Sequence, residues 1–398
     1  TYPPMFRADV SNPLPVSTLV KVKTDAKNQY KSTKVRICAR GDKELAHINF
    51  DPSETSTTNA SIVDVRIFYI WVLTNDAVMK AFDIVAAYFQ APVTATNFVI
   101  PPAGITGVEK DEVLKILRAL YGLRSASYMF EQHRNAVMFK LGFIPLSVTS
   151  PSLRIKRFPC GTELLFMPYV DDSLLAAAGA NKENLLKQTM DDISKAFPIK
   201  IVPCDEFLGM NVTRTVDKNS KPIFQFDVSG ALDDVIKEFD ILSEKSSKVP
   251  FDTKFKLEHA EQTGLLDEKG KSNYQRMTGS AAWIVSRQQV ACTSYHQVCA
   301  RYLAAPTNKW DKAIRRVLRF FYDRKDIKHT LGAVPYEESY LTLYTDSSNS
   351  DDQDNASTTI GFVLFFGRYV IATRTKKKTT IKLSTAGNEI RAVVDPLD

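Results

Sequence analysis

Two adjacent carboxylates, Asp171 and Asp172, follow Tyr169-Val170 at a turn between two apolar stretches, with Phe166 on one side and Leu174-Leu175 on the other. Like charges within a few ångströms raise each other's pKa, so such a pair is unfavourable unless a cation shares the site. Magnesium takes one or two carboxylates together with substrate phosphates and so removes the penalty. Acidic pairs are common at surface turns, but the apolar stretches on both sides make that the weaker reading here. A third carboxylate, Asp83, stands in the run Lys80-Ala81-Phe82-Asp83-Ile84-Val85-Ala86-Ala87-Tyr88-Phe89, at the end of an apolar strand and ahead of an aromatic reached through small residues. Phosphoryl transfer between nucleotides uses two metal ions about 4 Å apart. Three carboxylates from two neighbouring strands are a sufficient ligand set. Asp83 and Asp171 would bridge two Mg2+ ions, with Mn2+ as a substitute, and Asp172 would be the more peripheral ligand.

The elements around these residues follow from periodicity and punctuation. Leu19 to Lys23 alternates like a strand, and Tyr30 to Arg40 reads as a strand edged by Lys31, Lys34, Arg36 and Arg40. Ser61 to Thr74 has helical spacing, with N-cap candidates at Ser56-Thr57-Thr58-Asn59. Strands are expected over Met79–Tyr88, where the strand runs into a small-residue turn, at Asp111–Leu120, as a pair over Leu164–Ala178, and at Phe207–Arg214. Helices are expected at Ser125–Lys140, stopped by Gly142, and at Lys182–Phe197. This order contains a split βαβ pattern, which sets an antiparallel sheet against two helices. From about 222 to 335 the chain reads as mainly helical, clearest at Tyr274–Ile284 and Trp310–Tyr322. Lys312 to Arg319 carries one basic and one apolar face, either a solvated helix face or one turned to nucleic acid. The last 60 or so residues turn β-rich, at Leu341–Tyr344, Thr359–Phe366 and Tyr369–Thr373, with the acidic loop Asp351-Asp352-Gln353-Asp354 between the first two.

Composition bounds the class. The 398 residues are 44% hydrophobic and 24% charged, which suits a globular chain of two or three domains and excludes disordered and fibrous classes. A formal charge of +7 permits a polyanionic partner without demanding one. Five scattered cysteines without a CxxC pair read as reduced thiols, and five scattered histidines give no zinc signature. No apolar run approaches the roughly 18 residues of a membrane span. The Thr1-Tyr2-Pro3-Pro4 start is unlike a signal peptide and is expected to be an internal cut from a longer chain.

Taken in order, the motifs resemble the reverse transcriptase region of copia-type long-terminal-repeat retrotransposons. Arg36-Ile37-Cys38-Ala39-Arg40-Gly41 resembles the family's fingers strand, and Phe82 to Tyr88 its first catalytic block. Ala119-Leu120-Tyr121-Gly122-Leu123-Arg124-Ser125 resembles its ALYGLK block, with Arg124 in the lysine place. Tyr169 to Asp172 resembles its YVDD box, and Glu206-Phe207-Leu208-Gly209-Met210 its primer-grip strand. Tyr274 to Ile284 is similar to a Y-x-x-x-x-G-S-x-x-Y region, with Trp283 in the last tyrosine's place, and Arg315 to Phe320 to its KRVLRYL.

The resemblance implies an α+β right-hand polymerase fold of fingers, palm and thumb, its antiparallel palm sheet packed on helices. It implies fingers and palm over 1–221, a mainly helical thumb and connection over 222–338, and the N-terminal part of an RNase H-like α/β domain over 339–398. The implied function is RNA- and DNA-directed DNA synthesis on a retrotransposon RNA, with RNA template, DNA primer, RNA–DNA hybrid and dNTPs as partners. Tyr88 would be the steric gate against ribose. Tyr121 and Gly122 would line the nucleotide, and Lys34, Arg36 and Arg40 would grip its triphosphate. Tyr169, Val170, Phe207, Leu208, Gly209 and Met210 would contact the primer. Family members act in cytoplasmic particles and deliver DNA to the nucleus; a homodimer stays among the oligomeric alternatives.

Leu343-Tyr344-Thr345-Asp346-Ser347 resembles the first acidic strand of the RNase H unit, and Leu383 to Glu389 its helix start. Asp346 and Glu389 would be two of four metal ligands. Ala386-Gly387-Asn388 departs from the family's Ala-Glu-Ala, Gly387 disfavours a helix, and RNase H activity is expected to be absent from this chain. A second reading, a non-catalytic binding or assembly module of the same descent, draws on such departures, including Arg287-Gln288-Gln289-Val290. A third, another two-metal phosphoryl-transfer enzyme, leaves Tyr121-Gly122 and Phe207-Leu208-Gly209 without an explanation.

Overall fold

The structure, a computed structural model, describes residues 4–24, 30–102, 104–109, 111–148, 150–246, 248–251, 264–347 and 358–378. The fold is mixed α+β, and its named strand pairs are antiparallel. The chain forms two compact units, one of residues 1–60 and 78–203, the other of 61–77 and 204–398.

The first unit is built on a sheet ordered Ile199–Val202, Val78–Ile84, Asp172–Ala178, Glu163–Tyr169, Arg154–Arg157 and Ile144–Pro145. Glu163–Tyr169 and Asp172–Ala178 are almost continuously buried, as central strands covered on both faces must be. The Lys182–Ala196 helix buries Leu186, Thr189, Met190 and Ile193, the single stripe that 3.6-residue periodicity produces. With Met129 and Phe130 of the Ala126–Lys140 helix, Leu186, Met190 and Ile193 share a core with Phe82, Phe166 and Leu175 of the sheet. Gly142, at φ +90°, follows that helix where the stop was expected. The basic-edged strand Tyr30–Ala39 pairs with Val16–Thr24 as a two-stranded ribbon. The strand expected over Asp111–Leu120 is only Glu112–Lys115.

In the second unit, the Ile62–Thr74 helix starts at Ser61, not at Ser56–Asn59. Ser61 Oγ accepts the Asp64 N–H, and Asp64 accepts the Ser61 N–H, a reciprocal cap that the earlier polar residues do not make. Its buried Arg66 donates to the Ser286 and Ile371 carbonyls. Tyr69 meets Phe224 and Phe226 edge-on. These two belong to the four-stranded sheet Glu206–Phe207, Met210–Val216, Pro222–Asp227 and His329–Gly332. The expected Phe207–Arg214 strand is therefore a hairpin, turned at Leu208-Gly209 with φ of +52° and +72°. Helices Glu268–Arg287, Thr293–Ala300 and Asn308–Tyr322 follow. A sheet of Leu341–Ser347, Thr358–Phe366 and Tyr369–Lys378 comes last.

Candidate active site

The strands Glu163–Tyr169 and Asp172–Ala178 are joined by a two-residue turn, Val170-Asp171, closed by the Tyr169–Asp172 pair. Val170 adopts φ +54°, a left-handed conformation that costs a β-branched residue on the order of 1–3 kcal/mol. The turn is held from outside, because Arg134 Nη1 donates to the Val170 carbonyl at 3.2 Å.

Asp83 lies on the strand beside this hairpin. Asp172 stands directly opposite it in one neighbouring strand and Lys200 in the other. Directly opposed residues share a sheet face, so these three side chains line one surface. The Asp171 carbonyl accepts the Ile84 N–H at 2.9 Å, tying the turn to the Asp83 strand. Partial burial, then the Asp171 charge, raise the Asp83 carboxyl above its ordinary range, with Lys34 and Lys200 opposing the shift. Tyr121 is raised in the same way, by burial and then by Asp171.

Past Asp83 the chain turns through Ala86, at φ +51°, into the short Ala87–Gln90 helix that carries Tyr88 and Phe89. Tyr88 packs 5.0 Å from Tyr121 and donates to, or accepts from, Ser127 Oγ at 3.1 Å. Phe89 meets Tyr121 edge-on, and the Arg36 guanidinium lies 5.8 Å from the Tyr121 ring centre. Two glycines join this aromatic group to the basic ribbon. The Ala39 N–H donates to the Tyr121 carbonyl at 2.7 Å. A Cβ on Gly122 would stand 2.1 Å from the Ala39 oxygen, and one on Gly41 would stand 2.1 Å from the Gly122 oxygen. Only residues without a Cβ permit that approach, and Gly122 also needs its φ of +92°. Glu44, its carboxyl raised by burial, closes the junction by accepting the Arg124 N–H.

Asp83, Asp171, Asp172, Lys34, Arg36, Tyr88, Tyr121 and Gly122 therefore fall in one neighbourhood of the first unit. Arg40 is placed differently: its guanidinium forms a two-pronged pair with Asp42, which pulls the Asp42 carboxyl down to about 2. Tyr169 and Val170 belong to the hairpin that carries Asp171 and Asp172. Phe207, Leu208, Gly209 and Met210 lie in the second unit and stay together as its hairpin turn, where Trp283 would be 3.2 Å from a Cβ on Gly209. Asp346 is exposed on Leu341–Ser347. Glu389 and the acidic loop 351–354 lie outside the described residues. Lys200 and Arg134 escaped the sequence reading. Register across the sheet brings the first to Asp83, and no local pattern marks the second as buried.

Among the described residues no three His, Cys, Asp or Glu side chains form a ready-made metal cage. The donor set nevertheless fits magnesium. It offers acidic oxygens only, and Asp83 carries a repulsion from Asp171 that a divalent cation would relieve, with substrate phosphates and water completing the shell. No helix among the described residues is long and apolar enough to cross a membrane.

Residues 8–253 match the family described as reverse transcriptase (RNA-dependent DNA polymerase). The chain belongs to this family. It is 23% identical over 390 residues to a retrovirus-related Pol polyprotein from transposon TNT 1-94 of Nicotiana tabacum, covering 96% of this chain and 28% of that one. It is 24% identical over 375 residues to the Pol polyprotein from transposon RE2 of Arabidopsis thaliana, covering 92% and 24%. A putative transposon Ty5-1 protein of Saccharomyces cerevisiae is 24% identical over 284 residues, covering 70% and 86%. The chain spans about a quarter of the length of the plant polyproteins. It is a reverse transcriptase sequence of the copia-type Pol kind, as its motifs led one to expect.

Proposed function

We propose that this reverse transcriptase sequence is an active RNA- and DNA-directed DNA polymerase that extends a primer on a retrotransposon RNA. The observation that carries the reading is Asp83 facing Asp172 across paired strands while feeling the charge of Asp171 at the turn. Asp83, Asp171 and Asp172 would hold two magnesium ions. Bound there, the ions would activate the primer hydroxyl and offset charge on the triphosphate. Lys34 and Arg36 would bind phosphate, and the Tyr88 and Tyr121 rings would set the sugar and base against the hairpin. Arg40, with its charge shared with Asp42, has the weaker support as a phosphate contact.

In this reading residues 1–221 supply fingers and palm, with the Val16–Thr24 and Tyr30–Ala39 ribbon in the fingers and the six-stranded sheet in the palm. Residues 222–338 supply thumb and connection, and 339–398 the first part of an RNase H-like unit. Tyr169, Val170 and the Phe207–Met210 turn would contact the primer. RNA template, DNA primer, hybrid and dNTPs are the partners, and cytoplasmic particles and the nucleus the places of work.

Primer extension on an RNA template tests this, with magnesium or manganese, comparing wild type and Asp171→Asn. Extension should vanish in Asp171→Asn and on chelation, while hybrid binding stays within about threefold, because phosphate contacts dominate affinity. Hybrid binding by a wild type that extends no primer with either metal would establish the non-catalytic module instead.

A further inference from the structure

Arg134 of the Ala126–Lys140 helix is almost wholly buried, its side chain 4% exposed. A guanidinium is seldom taken out of water unless a carboxylate faces it at close range. Here the carboxylate is distant, with Glu131 Oε1 4.0 Å away and both Glu131 oxygens accepting the Thr58 N–H. Arg154, also buried, adds a second positive charge nearby. Arg134 Nε has no hydrogen-bond partner among the described residues. Helix packing alone would be served better by an apolar side chain. The directed bond that remains is the one from Nη1 to the Val170 carbonyl.

That carbonyl belongs to the residue with the strained backbone, and the same peptide group carries the Asp171 nitrogen. Holding it fixes the plane of the Val170–Asp171 peptide, and with it the direction in which the Asp171 side chain leaves the turn. We propose that Arg134 is a positioning residue for polymerisation, its buried guanidinium holding the Val170–Asp171 peptide so that the Asp171 carboxylate is presented beside Asp83. The inference rests on the polymerase reading. Arg134 acts through the hairpin, to which it donates a hydrogen bond at the Val170 carbonyl.

The test uses the full chain and three substitutions. Arg134→Met removes the donor, Arg134→Lys keeps a cation with a single donor nitrogen, and Val170→Gly removes the strain without touching Arg134. Four quantities are read: kcat, KM for dNTP, Kd for the hybrid, and Mn2+ affinity by water-proton relaxation. Arg134→Met should lower kcat about tenfold or more and weaken Mn2+ binding, with hybrid Kd held within about twofold. Arg134→Lys should recover part of the loss. In the Val170→Gly background the same Arg134→Met change should cost less than about threefold, because glycine takes positive φ freely and the two sites are coupled.

Equal losses in both backgrounds, or a loss confined to hybrid affinity or melting temperature, would overturn the proposal. If Arg134→Met does not fold, the comparison is made on Arg134→Lys with and without Val170→Gly, with the same two criteria. A wild type that extends no primer counts against the polymerase reading. The Mn2+ affinities still report whether Arg134 holds Asp171 in place, so the two claims can fail separately.

Discussion

Tyr88 is fixed by its ring and its hydroxyl in different ways. The ring lies against Tyr121 and Phe130, and the hydroxyl is occupied with Ser127. If Tyr88 excludes ribose, the flat ring must do so, because the hydroxyl already has a partner. Tyr88→Ala should then raise ribonucleotide incorporation about tenfold or more, a change of about 1.4 kcal/mol in relative barrier. Tyr88→Phe should leave discrimination close to wild type. Single-nucleotide insertion with matched rNTP and dNTP pairs measures both, and unchanged discrimination in Tyr88→Ala removes Tyr88 from the gate. Tyr88 and the three aspartates were legible because their neighbours form contiguous blocks. Lys200 was not, since only the pairing of Ile199–Val202 with Val78–Ile84 brings it opposite Asp83. Nor was Val170's strain, which depends on the turn being just two residues long.

At the scale of elements, the Asn308–Tyr322 helix shows how far a pattern of charge can be read. Its basic face was open between solvent and nucleic acid. In the structure two of its arginines are engaged within the protein. Arg315 pairs with Asp311 and donates to the Phe239 carbonyl; Arg319 pairs with Asp323 and donates to the Leu242 and Glu244 carbonyls. They clamp the segment that follows Ser229–Glu238 through its Phe239, Leu242 and Glu244 carbonyls. The sequence shows the arginines but not which carbonyls a neighbouring loop leaves open. Arg319→Met should therefore lower stability by about 1.5–3 kcal/mol, the range for a hydrogen bond to a charged group. The salt dependence of hybrid binding should not change. A phosphate-contacting arginine would instead reduce the slope of log K against log salt by about one. Denaturant unfolding and hybrid titrations across salt separate the two roles. The Gly41 and Gly122 contact belongs to this scale as well: the motif was legible, but its reason, two backbones meeting at a distance no Cβ tolerates, appears only when the ribbon and the Tyr121 turn are brought together.

For the whole molecule, an antiparallel sheet set against helices and most element positions followed from periodicity, and the α+β class from the resemblance, whereas the grouping of Ile62–Thr74 with residues beyond 204 did not. That grouping is made by long-range contacts, including the bonds from Arg66 to Ser286 and Ile371. It also leaves the buried Arg66 guanidinium without a carboxylate partner among the described residues, and His329 is buried close enough to feel its charge. Burial, reinforced by the Arg66 charge, pushes the imidazole down to about 3, from an ordinary value of 6.5. The unfolded chain therefore binds a proton at His329 that the folded chain refuses between those two values. The stability from keeping this histidine neutral is fully present above pH 6.5 and is lost as pH falls toward 3, amounting to on the order of 5 kcal/mol across the whole window. Carboxylates held low by partners, Asp42 among them, add to the acid sensitivity, so the histidine's share must be read by difference. His329→Gln should melt with a shallower dependence on pH between 6.5 and 4.5 than wild type, whatever its melting temperature at pH 7.5. Parallel curves for the two proteins would mean that His329 takes up its proton without unfolding, and that the burial beside Arg66 opens readily to water.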